Sequence, residues 1–312
     1  MARKTVGPAE ILGDIADSLR RLGRGGIIIT ASHNPIQYNG LKFANNKGIF
    51  LSEKQINEVI NNYNNKTAVK QGNFFIINGA KTFITNGTLA DFFVVLCQTD
   101  PHAKPPYRGQ CTLLVEKGTK GFTATEIKPK MGIRMTSTAQ LSFSDVKVPL
   151  THLIGEENKG FYQVLEFFDE SRIEIAAQAL GVSQGAFDRA LDYTKNRQQF
   201  GKKLVDFQAT QHKLADMATQ IETARLLTYK AAWNYDQKRI DPALTSMAKM
   251  HAGRTAVEIT GAAVELLGGY GYLNEYEVER FYRDAKIMEI YEGTKEIQKN
   301  TIASYLIGKH KS

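Results

Sequence analysis

Cysteine is scarce in this 312-residue sequence: Cys97 and Cys111 are its only thiols, too few for a disulfide framework. Cys97 lies in the apolar stretch FFVVLC, where a buried thiol is expected, and a reducing compartment follows. Long hydrophobic runs are missing as well. None approaches the roughly 20 residues needed to cross a bilayer, and the opening MARKTVGPAEILGDIADSLRR has no secretory-type apolar core. The sequence therefore predicts a cytoplasmic protein with no membrane partner. No Cys/His cluster has metal-ligand spacing, so no metal is expected. There is also no continuous basic block. Forty Lys and Arg against 32 Asp and Glu give a net charge of +8, which suits an anionic ligand such as a nucleotide, and no nucleic-acid partner is expected.

What is present divides into three zones, at 1–65, 66–152 and 153–312. Residues 1–70 hold ten basic and five acidic residues and nine asparagines, several of them in NNYNN, which reads as a boundary or surface turn. From 71 to about 152, short apolar or alternating runs (NFFIING, KTFIT, DFFVVLCQT, CTLLVEK, AQLSFSDVKVP) are separated by Gly, Asn and Pro, the pattern of a β domain. From Lys159 onward the period becomes helical. Leu214, Met217, Ile221 and Ala224, then Met247, Met250, Val257 and Val264, recur at helical intervals. This predicts amphipathic helices of about 25 residues each, packed as an antiparallel four-helix bundle with those stripes as core. The fold class is α+β.

Near the end of the chain, KIMEIYEGTKEIQ sets Glu292 between an apolar run and Gly293. The stretch YEVERFYRDAKIMEIY before it reads as helix, and Thr294 is placed to cap a helix starting at Lys295. Two readings stand. Glu292 is a solvated acid at a helix junction, or it is a carboxylate desolvated beside Ile290 and Tyr291, where burial favours a general base.

Four segments, KTAVKQGNFFIINGAKTFITNG, KMGIRMTSTAQLSFSDVKVP, NRQQFGKKLVDFQATQHKLADM and AVELLGGYGYLNEYEVERFYRDAKIMEIYEGTKEIQ, resemble the acyl-CoA dehydrogenases in order and spacing over roughly residues 66–309. The resemblance implies FAD as cofactor, an acyl-CoA substrate, a place in fatty acid metabolism, a homo-oligomer (dimer or tetramer) and an electron-transferring flavoprotein as acceptor. Glu292 would be the base that removes the α-proton. Phe83 and Thr85 would lie against the flavin ring. Arg197, Phe200 and Gln208 would hold the pyrophosphate and adenine end, with Glu265, Gly268, Gly269, Thr294 and Glu296 also at the nucleotide. Phe168, Asp169 and Arg172, with Tyr291 and Gly293, would line the acyl-CoA channel. Glu265 departs from the family, which usually has Gln there; an acid should weaken nucleotide binding. Read singly, Arg197 and Asp169 are also ordinary helix charges, Gly268 and Gly269 a plain helix stop, and Thr85 a strand former.

The front is different. Residues 25–63 contain TASHNP and are similar to the first, α/β domain of the α-phosphohexomutases, in which the serine, here Ser32, carries a phosphoryl group with His33 and Lys42 nearby. The family's metal loop and sugar-binding domains are missing, and so are the helical domain and first strands with which acyl-CoA dehydrogenases open. The chain reads as a junction near residues 63–66. Three functions follow: an FAD-dependent acyl-CoA dehydrogenase, an oligomeric bundle without catalysis, and, last, a phosphoserine protein built on Ser32.

Overall fold

The computed structural model describes residues 26–31, 39–44 and 68–308. Strand β1 (Gly26–Ala31) pairs antiparallel with β2 (Asn39–Ala44). Ser32 and His33 lie outside the described residues; Lys42 stands in β2 opposite Ile28.

The β domain consists of two antiparallel sheets sharing one core. Its strands are β3 (Ala68–Gln71), β4 (Phe74–Thr85), β5 (Phe92–Gln98), β6 (Gln110–Glu116), β7 (Phe122–Glu126), β8 (Thr138–Pro149) and β9 (Leu153–Ile154). One sheet has the order β3-β4-β8-β7 and the other β5-β6-β9. Alternation decides the inner face: Ala139, Leu141 and Phe143 of β8 and Phe93, Val95 and Cys97 of β5 point inward. Cys97 stands opposite Cys111, both thiols are free, and burial pushes the Cys97 thiol up to about 12, which makes it inert. In β4 only Phe75 and Ile77 follow the pattern. Register shifts between Ile77 and Gly79 and between Lys81 and Ile84 interrupt the alternation before Ile84 and Thr85 pair again with Ala139 and Thr138. Phe83, with φ of 60°, is 73% exposed as a result.

Three long helices follow: α1 (Gly160–Asn196), α2 (Gln208–Asp236) and α3 (Pro242–Leu267), with a two-strand hairpin, β10 (Gln198–Gln199) and β11 (Lys202–Lys203), between the first two. At 37 residues α1 is longer than the expected 25. Asp241 caps α3, accepting from the backbone of Ala243 and Leu244, with Pro242 in the first turn. Fully buried alanines line both α1 (Ala176, Ala179, Ala186, Ala190) and α3 (Ala248, Ala252, Ala256, Ala263), so these two helices pack on small side chains at the centre of the bundle.

The stretch from Tyr276 to Tyr291 is not the continuous helix its sequence suggests. Only α4 (Val278–Ala285) is α-helical; a 3-10 turn over Lys286–Glu289 replaces the rest. The reason lies in α3. Met288 is buried, and its carbonyl passes so close to Gly253 that a Cβ there would sit 2.6 Å from it. Packing against that notch overrides local helix propensity. Helix α5 (Lys295–Leu306) then lies on α3 as the fourth member of the bundle.

The loop before β8 docks on the end of α4. Ile133 donates its N–H to Asp284 at 2.6 Å, and Arg283 donates to the Met131 carbonyl at 3.1 Å. Among the described residues no helix is long and apolar enough to cross a membrane, and no group of three or more His, Cys, Asp and Glu is arranged to hold a metal.

Candidate active site

The short segment between the 3-10 turn and α5 carries two consecutive left-handed residues, Glu292 (φ 53°) and Gly293 (φ 89°). Glycine adopts this conformation freely, whereas for a glutamate it costs on the order of 1 kcal/mol and persists only where the surroundings enforce it. Two buried donors do so. The Nζ of Lys249 on α3 donates to the Gly293 carbonyl at 2.7 Å, and the Nε2 of Gln298 on α5 donates to the carbonyls of Glu292 and Gly293 at 3.0 and 2.9 Å. Lys249 is 1% exposed and Gln298 is fully buried.

The turn points the half-buried Glu292 carboxylate at α1, where Ser171 Oγ donates to Oε2 at 2.8 Å. Next along α1, the buried Arg172 pairs with Asp169 at 3.6 Å, donates to Ser246 Oγ at 3.3 Å and lies 5.9 Å from the Phe168 ring centre. Burial drives these groups toward their neutral forms. It lowers Arg172 and raises Asp169, each opposed by the other's charge, and it brings Lys249 down to about 8 against the pull of Glu292. Tyr291 is pushed up to about 12 by burial and by the adjacent Glu292, while its hydroxyl bonds to Gln178. Glu292, Tyr291, Gly293, Phe168, Asp169 and Arg172 therefore meet at one place. Ser171, Lys249 and Gln298 were missed from sequence, although a lysine between Met247 and Met250 on an apolar stripe was a visible signal.

Thr294 precedes α5 as expected, but its side chain makes no capping hydrogen bond to the helix. Exposed Glu296 is held below the usual carboxylate range, chiefly by a backbone hydrogen bond.

A second group gathers at the far end of the bundle. Arg197 follows α1, and its guanidinium lies 5.3 Å from the Tyr270 ring centre. Gly268 ends α3 with φ of 61°, and a Cβ on Gly268 or Gly269 would meet nothing within 4 Å. Phe200, at the tip of the β10–β11 hairpin, is 93% exposed. Gln208 opens α2 on the surface, and Glu265 is paired with Lys213, a partner the sequence did not suggest. Arg197 comes 25 residues after Arg172 on a continuous helix, so at about 1.5 Å per residue the two groups lie roughly 37 Å apart. Phe83 and Thr85 belong to neither group; they project from the end of β4, where Thr85 faces Thr138.

Comparison with known proteins matches residues 158–307 to the acyl-CoA dehydrogenase C-terminal domain, residues 48–146 to the acyl-CoA dehydrogenase middle domain, and residues 16–70 to the phosphoglucomutase/phosphomannomutase alpha/beta/alpha domain I. The last two overlap over residues 48–70. A short-chain-specific acyl-CoA dehydrogenase of Clostridium acetobutylicum is 47% identical over 76% of this chain. Butyryl-CoA dehydrogenase of Megasphaera elsdenii superposes with a TM-score of 0.75 at 43% identity, covering 78% of this chain and 63% of that one. A structure reported for the electron transferring flavoprotein of Acidaminococcus fermentans gives a TM-score of 0.75 at 43% identity, covering 77% of this chain and 63% of that chain. The chain spans 62% of the length of the Clostridium relative.

Proposed function

Over residues 48–146 and 158–307 this chain belongs to the acyl-CoA dehydrogenase family, and on that premise we propose that it oxidises the α,β C–C bond of an acyl-CoA thioester, with Glu292 as base. The observation that carries this reading is the enforced turn at Glu292, because a carboxylate held in a costly backbone conformation against Ser171 marks a functional position. In the reaction the α-C–H bond breaks and its proton passes to the Glu292 carboxylate. Ser171 orients the carboxylate, and Arg172 and Lys249 supply positive charge behind it. Tyr291, Gly293, Phe168 and Asp169 border the space in which the thioester would lie.

The residues of the outer group, with Phe83 and Thr85, suit FAD. Arg197 offers a cation to a pyrophosphate, Gly268 and Gly269 leave the backbone open to close approach, and Phe83 presents a ring on the surface. Thr85, Phe200, Gln208, Thr294 and Glu296 complete the proposed set, while Glu265 is engaged by Lys213. FAD supplies the hydride acceptor for the β-hydrogen. One extended dinucleotide does not span the distance along α1 between the two groups of residues. A site made by Glu292 of one subunit and the Arg197 end of another resolves this, which supports a homo-oligomer. An electron-transferring flavoprotein is the proposed acceptor.

The test is direct. Full-length protein purified with FAD should be yellow and should bleach with butyryl-CoA; a yellow protein that never bleaches with any acyl-CoA would refute catalysis. One observation favours a second reading, a bundle that oligomerises without turnover. Phe167, Leu165 and Tyr162, on the first turns of the helix that carries Arg172, are exposed, so water reaches apolar side chains near the proposed site. That reading predicts colourless protein that is still oligomeric.

A further inference from the structure

We propose that Lys249 and Gln298 are positioning residues that act as a two-sided clamp on the Glu292–Gly293 turn and so aim the carboxylate. The inference rests on Glu292 being the base, as proposed above. Its warrant is geometric. Three hydrogen bonds from two side chains, one on α3 and one on α5, converge on two adjacent carbonyls, and these belong to the two residues with positive φ. Lys249 is 1% exposed and Gln298 not at all, so neither serves a surface role. A buried lysine is costly, since burial favours its neutral form. A neutral core residue would fill the same space without that cost; what it would not do is donate a charge-assisted hydrogen bond to a carbonyl. Gln298 repeats the arrangement from the other side, with its Oε1 buried and unpartnered while its Nε2 serves both carbonyls. The clamp is a tertiary contact, since Lys249 and Gly293 are 44 positions apart. Among charged and titratable groups, Glu292, Arg172 and Glu289 face Lys249, and Asp169 lies behind Arg172.

Lys249→Met and Gln298→Met keep the volume and remove the donors. Cleavage of the full chain after Glu292 by a glutamate-specific protease reads release of the turn without any cofactor, and cleavage after Glu258 within α3 serves as the internal reference. Each variant should raise cleavage at Glu292 by about tenfold relative to Glu258, as expected for the loss of a buried hydrogen bond. In the FAD-loaded protein, kcat for butyryl-CoA should fall by a similar factor with KM little changed. Cleavage that rises equally at both sites, or at neither, in both variants overturns the clamp. If the parent protein does not bleach at all, the proposed function fails while the cleavage ratio still decides the clamp.

Discussion

The two ends of the helical bundle are built on opposite principles. Around Glu292 the polar groups are buried and cross-linked. Ser171, Lys249 and Gln298 hold the turn from three helices, and Arg172 is paired with Asp169. Around Arg197 the relevant groups are open to solvent. Phe200 is almost wholly exposed, and the backbone at Gly268 and Gly269 has space above it. The first is a finished device whose geometry is paid for within one chain. The second is an open surface, which in the function proposed above a nucleotide and a second subunit would cover. The difference teaches where each kind of residue must be tested: the inner end by chemistry and stability, the outer end by binding.

The contrast can be broken at several points, and the largest effect is expected at the inner end. Glu292→Gln should keep the yellow cofactor and slow bleaching by about a thousandfold, the usual range for loss of a general base; stopped-flow absorbance reads it. Arg172→Met leaves Asp169 partly buried without its cation, and urea titration should show a loss of about 3 kcal/mol. At the outer end, Arg197→Ala should leave the urea midpoint unchanged and weaken FAD binding about tenfold, followed by fluorescence titration. If Arg197→Ala instead unfolds the chain, the outer group is structural and the contrast fails. Gly268→Ala should cost about 1 kcal/mol, through its positive φ alone, since nothing crowds the added methyl.

A pH series sharpens the same comparison. The Lys249 amine is about 8 when folded, against a reference of 10.5. Between those values the unfolded chain holds the proton that the folded chain has released, so stability from this group rises as pH increases from about 8 to 10.5. The parent should therefore gain on Lys249→Met over that window, by roughly 3 kcal/mol, in parallel thermal melts.

Much of the fold was legible because its signals are local. Alternation in β5 and β8 and the helical stripe of α2 are written in consecutive residues, and both appear where expected. Glu292, Arg172 and Arg197 came through the family resemblance, and the structure gathers the first two at one place. What escaped depends on distance. Ser171 reaches Glu292 across 121 positions, and no periodicity reports such a contact. The break after Ala285 escaped for a related reason: no Gly or Pro marks it locally, and its cause, the notch at Gly253, lies on another helix. Thr294 shows the converse error, a residue with the right type and place whose hydroxyl is not used as a cap.

Helix α1 carries Arg172 in its interior and delivers Arg197 at its end without interruption. Its length is thus a ruler. Inserting a single residue between them would swing Arg197 by about 100° around the axis, whereas inserting seven would restore its direction and push it about 10 Å outward. The number of residues between them, as much as the buried alanines they include, sets where Arg197 stands.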